Sequence, residues 1–157
     1  FGLARRKVMV MTPYFLPSRE LIGAMQAAAL RGVEVTVVLP AKNNLPFVHW
    51  ATRNMLWELL QRGVRIYYQP PPFVHTKLFL MDGCYALVGS ANMDRRSFEL
   101  NYENNILFCD RALTAAVRRR QDSYVASAVA VSAEQVSAWS RRRRLWNNAV
   151  ATLGPVL

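Results

Sequence analysis

The chain has 157 residues, 52% of them hydrophobic, and carries a formal net charge of +10 at pH 7. This length suits one domain with a core large enough to fold. No apolar run reaches the roughly 18 residues that a membrane-spanning helix requires, so no spanning helix is predicted.

The first half of the chain alternates predicted strands with predicted helices. Apolar, β-branched runs predict strands at 7–11, 33–39 and 64–68. Helices are predicted at 18–30 and 46–62, where a serine or a proline stands near the start and a glycine follows the end. Alternation of this kind implies parallel strands joined by crossover helices.

A hairpin is predicted next, after a run of prolines that breaks regular structure. Residues 77–81 and 84–88 are apolar runs of strand length, and Asp82-Gly83 separates them. Asp-Gly between such runs favours a two-residue loop, because both loop positions must adopt positive φ. The hairpin adds antiparallel strands, so the predicted fold class is α/β, with a mixed, mainly parallel β-sheet and helices on both faces.

A two-residue loop would place chemically active side chains on one surface of the hairpin. It pairs Lys77 with Val88 and His75 with Ser90, and residues opposite each other in an antiparallel pair point to the same face. His75 and Lys77 share that face because strand side chains alternate with period two. Asn92 lies just past the end of the hairpin. An imidazole and an ammonium in an otherwise apolar hairpin are costly to bury unless they are paired or take part in chemistry.

The following strand is predicted at 100–108, with polar side chains along one face. Asn101, Glu103 and Asn105 alternate along it and indicate a sheet that is partly turned toward a polar cleft. Glu103 is the natural partner for the His75 ring. A carboxylate on one ring nitrogen fixes the tautomer and leaves the other nitrogen free to react.

The remainder of the chain is predicted to be largely helical. Asp110 caps a helix that reaches about residue 125. Residues 133–153 place apolar side chains at near-helical spacing beside the four arginines at 141–144. Such a segment can lie on a membrane surface or pack against the domain, and packing is favoured.

The two cysteines, Cys84 and Cys109, fall in or beside predicted strands. Buried free thiols in a reducing compartment are the expectation for both. No Cys and His cluster has metal-ligand spacing, and His49 is most simply a residue on a helix face. The sequence therefore predicts no metal site.

Each candidate site residue also has an ordinary structural explanation. A single histidine in an apolar run is usually a core residue, and a lone lysine is usually a surface charge with a buried stem. The turn alone accounts for Asp82, and Asn92 can cap the short segment that begins near Met93. The conjunction of these residues at fixed spacing favours the functional interpretation.

The spacing His75-x-Lys77-x4-Asp82-x6-Gly89-Ser90-x-Asn92 resembles the signature of the phospholipase D superfamily at every defined position. Other stretches resemble the bacterial cardiolipin synthases of that superfamily, among them Thr12-Pro13-Tyr14-Phe15, Gly89 to Asp94, Leu100 to Glu103 and the ending Gly154 to Leu157. The resemblance covers nearly the whole chain and implies one phospholipase D-like domain over residues 1–157, the C-terminal half of a longer enzyme with two such motifs. Asn44 departs from the pattern, because many relatives carry an acidic residue there.

The resemblance implies a phosphatidyltransferase or phosphodiesterase that needs no metal or other cofactor. In this superfamily one histidine attacks phosphorus to form a phosphohistidine, and a second, from another motif, protonates the leaving alcohol. For His75 the general-acid role is favoured over the nucleophile. The implied catalytic residues are His75, Lys77, Asp82 and Glu103, and the implied phosphate-binding residues are Lys77, Ser90 and Asn92.

The implied substrate is a phosphatidylglycerol-like phospholipid. The implied partners are an anionic membrane surface and a second motif, either in another domain of the parent chain or in a homodimer partner. The expected location is peripheral, on the cytoplasmic face of the cell membrane. Two alternatives stay open: a homodimeric single-motif nuclease acting on nucleic acid, and a non-catalytic module that binds phosphate or lipid.

The positive charge does not decide between these partners. It comes largely from Arg5-Arg6-Lys7, Arg118-Arg119-Arg120 and Arg141 to Arg144. Basic clusters attract anionic lipid headgroups and nucleic acid alike.

Overall fold

The computed structural model describes residues 1–152, which form nine strands and six helices. The strands are β1 Lys7–Met11, β2 Phe15–Leu16, β3 Glu34–Pro40, β4 Arg65–Gln69, β5 Leu78–Met81, β6 Tyr85–Gly89, β7 Met93–Asp94, β8 Asn105–Cys109 and β9 Val129–Val131. The helices are α1 Arg19–Leu30, α2 Pro46–Gln61, α3 Arg95–Glu99, α4 Arg111–Ser127, α5 Ala133–Ser137 and α6 Arg141–Ala151. The final resemblance noted above, Gly154 to Leu157, and Leu153 lie outside the described residues.

A seven-stranded sheet forms the centre of this part of the chain, in the order β8-β6-β5-β1-β3-β4-β9. The strands β1, β3 and β4 run parallel to one another, because α1 and α2 cross over between them. The other neighbouring pairs are antiparallel. The predicted mixed sheet with flanking helices is confirmed, and its parallel part is limited to these three strands.

The core occupies both faces of the sheet. Alternate residues of β1 face opposite sides, and both sets are buried, as expected for a central strand. Helices α1 and α2 cover one face through Met25, Leu56 and Leu59. Helix α4 covers the other face through Val117 and Tyr124. Several polar residues lie at the sheet edge where β1 ends.

The motif hairpin has a three-residue loop, so the register predicted from the sequence is wrong by one residue. Met81 pairs with Tyr85. Cys84 therefore joins Asp82 and Gly83 in the loop, and its N–H donates to Met81 O at 3.2 Å. The predicted positive φ is present, at 52° for Asp82 and 72° for Gly83. Asp-Gly thus specifies the turn, but the first β5–β6 pair after the turn involves Tyr85 and not Cys84.

The shift changes which residues lie opposite each other at the far end of the hairpin. Val88 pairs with Leu78. Gly89 lies opposite Lys77, and its N–H donates to Lys77 O at 3.5 Å. The predicted opposition of His75 and Ser90 is therefore lost. His75 and Lys77 stand in the irregular segment just before β5.

The strand predicted at 100–108 begins only at Asn105. Its partner β6 ends at Gly89. Beyond that point Ser90 N–H still donates to Asn104 O at 3.0 Å, and the Ser90 hydroxyl accepts from Asn104 N–H at 2.9 Å. The chain approaches Gly89 so closely that a Cβ there would lie 2.3 Å from Asn104 O. Glu103 consequently lies on a loop and not on a strand.

A small second sheet holds the segment after the motif against the segment after β1. Phe15 of β2 pairs with Met93 of β7, and the Thr12 hydroxyl accepts from Met93 N–H at 3.2 Å. Asp94 then caps α3 by accepting from Ser97 N–H at 2.8 Å. Two-residue strands have no readable periodicity, so the sequence does not predict this pairing.

The C-terminal part forms two helices where the sequence predicts one continuous segment. Both pack on α2, and Val136 and Val150 are each only 4% exposed. The favoured packing of this segment against the domain is thus observed. No described helix is long and apolar enough to cross a membrane. Both cysteines are free thiols, as predicted. Their predicted burial is wrong, because Cys84 is only half-buried and Cys109 is exposed on the edge strand β8.

Candidate active site

A cleft with both apolar and polar lining residues opens at the sheet edge where β1 and β6 end and β5 begins. Its volume is about 160 Å³. The carboxyl ends of parallel strands are where ligands bind in open α/β sheets. The polar residues that line it are Thr12, Lys77, Asn92, Ser97 and Asn105.

His75 and Lys77 are in direct contact beside this cleft. The Lys77 ammonium nitrogen lies 2.8 Å from His75 Nδ1 and 3.1 Å from Nε2, and it also donates to His75 O at 3.1 Å. Tyr14 and Phe73 pack on the imidazole, each with a centroid separation of 5.8 Å. An ammonium that donates to the ring requires a lone pair on nitrogen, so this arrangement favours neutral imidazole.

The surroundings lower the pKa values of both groups. Partial burial, followed by the positive charge of Lys77, lowers the pKa of His75 below its ordinary value. Burial also lowers the pKa of Lys77, while the nearby carboxylates of Glu103 and Asp94 oppose that shift. The lowered pKa of His75 favours a neutral imidazole at neutral pH, next to the Lys77 amine beside the cleft.

Glu103 reaches the same site but has other partners than the sequence predicts. Its carboxylate accepts from the Ser90 hydroxyl and, at 3.1 Å, from Asn101 Nδ2. The Ser90 hydrogen bond is the main reason that the pKa of Glu103 is lowered, so the group stays anionic. Among the described residues no hydrogen bond joins Glu103 to His75.

Asn92 leaves a polar group for a ligand. Its backbone N–H donates to Ser97 Oγ at 3.0 Å, which fixes the residue at the wall of the cleft. Its side-chain Oδ1 is buried and has no partner among the described residues. Buried amide oxygens are normally hydrogen-bonded, so this unpaired acceptor beside a cleft indicates that a donor, such as a ligand hydroxyl, is missing.

Asp82 lies at the opposite end of β5 from His75. The intervening residues span roughly 20 Å in extended conformation. The Asp82 carboxylate accepts backbone N–H groups from Arg5, Arg6 and Lys7 at 2.8–2.9 Å. Burial opposes its ionisation, but these three hydrogen bonds outweigh burial and lower its pKa. The structure thus does not bring Asp82 together with the other candidate residues.

Three residues that the sequence argument did not single out as site residues support the cleft. Thr12 Oγ1 donates to Tyr14 O at 2.8 Å and so shapes the turn after β1. Tyr14 packs its ring on His75 and donates its hydroxyl to Asn44 Oδ1 at 3.1 Å. Ser97 joins Asn92 to α3. Their position in the sequence could have identified two of them, because Thr12 and Tyr14 follow a predicted parallel strand, where ligands commonly bind.

Among the described residues no group of three or more His, Cys, Asp or Glu side chains could hold a metal ion. The donors that face the cleft are an ammonium, hydroxyls and amides. This set matches the oxygens of a singly charged phosphodiester.

The chain is similar to known proteins in both sequence and fold. Residues 1–124 match the family described as cardiolipin synthase, PLD-like domain. The chain is similar to cardiolipin synthase A from Serratia proteamaculans, with 39% identity over 150 residues that make up 96% of this chain and 30% of that protein. Cardiolipin synthase A from Yersinia pestis is 37% identical over the same coverage. The chain thus spans about three tenths of the length of these relatives.

Solved structures share the fold at low sequence identity. The phosphatidylserine synthase from Haemophilus influenzae superposes with a TM-score of 0.79 at 15% identity, covering 99% of this chain and 42% of that one. The phospholipase D family member Nuc from Salmonella typhimurium superposes with a TM-score of 0.73 at 20% identity, covering 83% of this chain and 85% of that one.

Proposed function

Because this chain belongs to the family of cardiolipin synthase, phospholipase D-like domains, we propose that it is one catalytic half of a phosphatidyltransferase. The reaction moves a phosphatidyl group from one phospholipid to a hydroxyl of a second glycerophospholipid. The observation that carries the proposal is the direct contact of His75 with Lys77 beside a cleft lined by Asn92.

The phosphate binds through donors that are already in place. The Lys77 ammonium and the Asn92 amide reach the non-bridging oxygens, and Ser90, held by Glu103, lies beside them. Negative charge on these oxygens grows in the transition state. Preorganised donors therefore stabilise the transition state more than the bound substrate.

His75 acts on phosphorus in two steps. A neutral ring nitrogen attacks, forming a nitrogen–phosphorus bond as the first alcohol leaves with a proton from a second histidine. The hydroxyl of the acceptor lipid then gives its proton to that second histidine and attacks phosphorus, which breaks the nitrogen–phosphorus bond. The lowered pKa of His75 favours this nucleophilic role over the general-acid role expected from the resemblance.

The second histidine has to come from outside the site that His75 and Lys77 form. The only other histidine of the chain is His49. It lies on α2 beside the Tyr68 ring, and burial, with the charges of Arg53 and Arg143, lowers its pKa to about 4. We therefore assign the second imidazole to another domain of the parent protein or to a second copy.

An exposed apolar surface next to the cleft supports that partner. It consists of large side chains on α3, the following loop and the edge strand β8. An apolar edge strand of this kind is normally covered by another surface. Its members are Phe98, Leu100, Tyr102, Ile106 and Leu107.

The basic surface suits an anionic membrane. Each arginine or lysine near such a surface contributes about 1 kcal/mol of attraction. We infer that the protein associates peripherally with the cytoplasmic face of the cell membrane and takes a phosphatidylglycerol-like lipid.

A homodimeric nuclease is the second candidate. The likeness to Nuc covers 85% of that chain, so a protein of this size alone can adopt the fold, and the net charge of +10 suits nucleic acid as well.

Parallel assays of the complete protein on phosphatidylglycerol and on plasmid DNA separate the two candidates. Formation of the dimeric lipid without nicking of the plasmid is expected. Nicking without lipid product would contradict the phosphatidyltransferase proposal.

A further inference from the structure

A second cleft lies between α2, α5 and α6 and shares no lining residue with the cleft beside His75. Its volume is about 250 Å³. The reaction proposed above makes no use of it. The residues that matter for its chemistry are Arg53, Trp57, Trp139, Arg144, Asn147 and Asn148.

Asn147 is the first indication of a ligand. It is 2% exposed, and neither its Oδ1 nor its Nδ2 has a hydrogen-bond partner among the described residues. Arg144 and Asn148 lie three residues before it and one residue after it on α6, and all three line the cleft. A buried amide with both ends unpaired is costly, so this side chain indicates a partner that enters the cleft.

Positive charge is concentrated at the same place. Arg53 Nε is buried without a partner among the described residues. The guanidinium carbons of Arg53 and Arg143 lie 5.8 and 4.4 Å from the centroid of the Trp139 ring. None of the described lining residues is acidic.

The same charges also act, after burial, on the pKa values of neighbouring groups. The pKa of His49 is lowered to about 4, by burial and then by the charges of Arg53 and Arg143. Burial and then Arg53 also lower the pKa of Arg143. An anion bound in the cleft would offset the repulsion between these cations.

We propose that this cleft binds the phosphate of an anionic phospholipid headgroup, separately from the catalytic cleft. Guanidinium groups match phosphate oxygens with paired hydrogen bonds, and the Asn147 amide supplies a further donor. Trp57 and Trp139 give the glycerol part an apolar wall. The site therefore has the cationic, amide and aromatic groups that such a headgroup requires.

The surface around the cleft favours a lipid over free phosphate. Trp57, Leu145 and Trp146 are 49%, 73% and 53% exposed. Leu145 and Trp146 directly follow the arginine run at 141–144, and Trp57 lines the cleft together with Arg144. Tryptophan together with arginine is typical of residues that settle at a membrane interface.

The test measures binding of a short-chain phosphatidylglycerol, below its micelle concentration, to the complete protein. All proteins carry H75A so that the lipid is not turned over, and tryptophan fluorescence reports binding. N147L and R53Q are expected to weaken binding at least about tenfold. R119Q, which removes an exposed charge on α4, is the matched control and should bind as the parent does.

Two ligand controls identify the source of the phosphate. Inorganic phosphate and short-chain phosphatidylcholine should each bind at least about tenfold more weakly than phosphatidylglycerol. Inorganic phosphate that binds as tightly as the lipid would overturn the lipid assignment. Lipid binding that K77A weakens while N147L and R53Q leave it intact would place the signal in the catalytic cleft and overturn the proposal.

Thermal unfolding separates a ligand site from a structural role. Leucine has nearly the shape of asparagine, so N147L should melt no lower than the parent if the amide has no partner in the fold. A large fall in its melting temperature would show that Asn147 is paired within the protein, and the proposal would fail.

Discussion

At the scale of single residues, the site depends on the charge that Lys77 places next to His75. Replacing Lys77 by methionine removes the ammonium that contacts the ring at 2.8 Å. The pKa of His75 should then rise, because the positive charge of Lys77 is one of the two causes that lower it. Titration of the His75 ring by NMR measures this shift, and K42M, at an exposed lysine, is the control. An unchanged or lower pKa for His75 would contradict the account.

The same variant tests phosphate binding. Removing one preorganised donor from a site of this kind typically costs about 10²- to 10³-fold in turnover. K77M in the complete protein should show a loss of that order in kcat, measured with phosphatidylglycerol. Retention of most of the activity would remove Lys77 from the phosphate site.

Glu103 should act on Lys77 through its charge. The Glu103 carboxylate raises the pKa of Lys77 against the effect of burial. E103Q should therefore lower the pKa of Lys77 further, and activity should be lost at a lower pH on the alkaline side of the kcat/KM profile. E99Q, whose carboxylate pairs with Arg95, serves as the control. An alkaline limb that stays in place or moves to higher pH would argue against this role.

At the scale of secondary-structure elements, the Asp82 turn anchors the N-terminal strand. The carboxylate accepts the N–H groups of Arg5, Arg6 and Lys7, so D82A leaves three donors without their acceptor. A loss of about 1–3 kcal/mol in the free energy of unfolding is expected. Denaturant titration measures this loss. The folded variant should keep its turnover, and a catalytic defect without loss of stability would contradict the assignment.

The pH dependence of this anchor has a definite sign. Because folding lowers the pKa of Asp82, its contribution is fully present above the unfolded pKa of about 3.9 and is lost as the pH falls through the folded value. Wild type and D82A should thus converge in stability only in acid. A difference that persists unchanged at low pH would show that the charge is not involved.

The approach of β6 to the loop before β8 gives a second prediction at this scale. A Cβ at Gly89 would lie 2.3 Å from Asn104 O, so G89A must push the two segments apart and displace Ser90. Stability should fall by about 1–3 kcal/mol, and activity should fall with it. G23A is the control, since nothing lies within 4 Å of a Cβ there and alanine favours the helix. Equal melting temperatures for the two variants would contradict the close approach.

At the scale of the whole molecule, the sequence predicted what depends on local chemistry. The crossover helices, the caps at Ser18 and Asp110, and the positive φ of the Asp82 turn are all present. The hairpin register was missed because Asp-Gly specifies a turn and not where the ladder closes. The partner of Glu103 was predicted wrongly because the sequence predicted a strand from residue 100. The strand begins only at Asn105, so Glu103 lies on the loop before it. The contacts of Asn147 depend on how α5 and α6 pack on α2, which no local pattern encodes.

In the proposed function, the site also depends on an apolar surface that residues 1–152 leave exposed. Phe98, which lines the cleft, and Tyr102, on the loop before β8, are 60% and 108% exposed. Placing an aspartate at both positions should separate this half from its partner and abolish turnover, while the half keeps its fold. Activity and the oligomeric mass of the complete protein measure this outcome. L30D, which changes another exposed apolar residue in the same way, is the control and should alter neither the activity nor the oligomeric mass.

The most direct test of the central claim is turnover of phosphatidylglycerol by the complete protein carrying H75A. Lipid product should be lost entirely, whereas the circular dichroism spectrum and the melting temperature should stay at the wild-type values, because the exposed His75 ring lies beside the cleft and outside the buried core. An H75A protein that still forms product at the wild-type rate would contradict the claim that this histidine, next to Lys77, performs the chemistry.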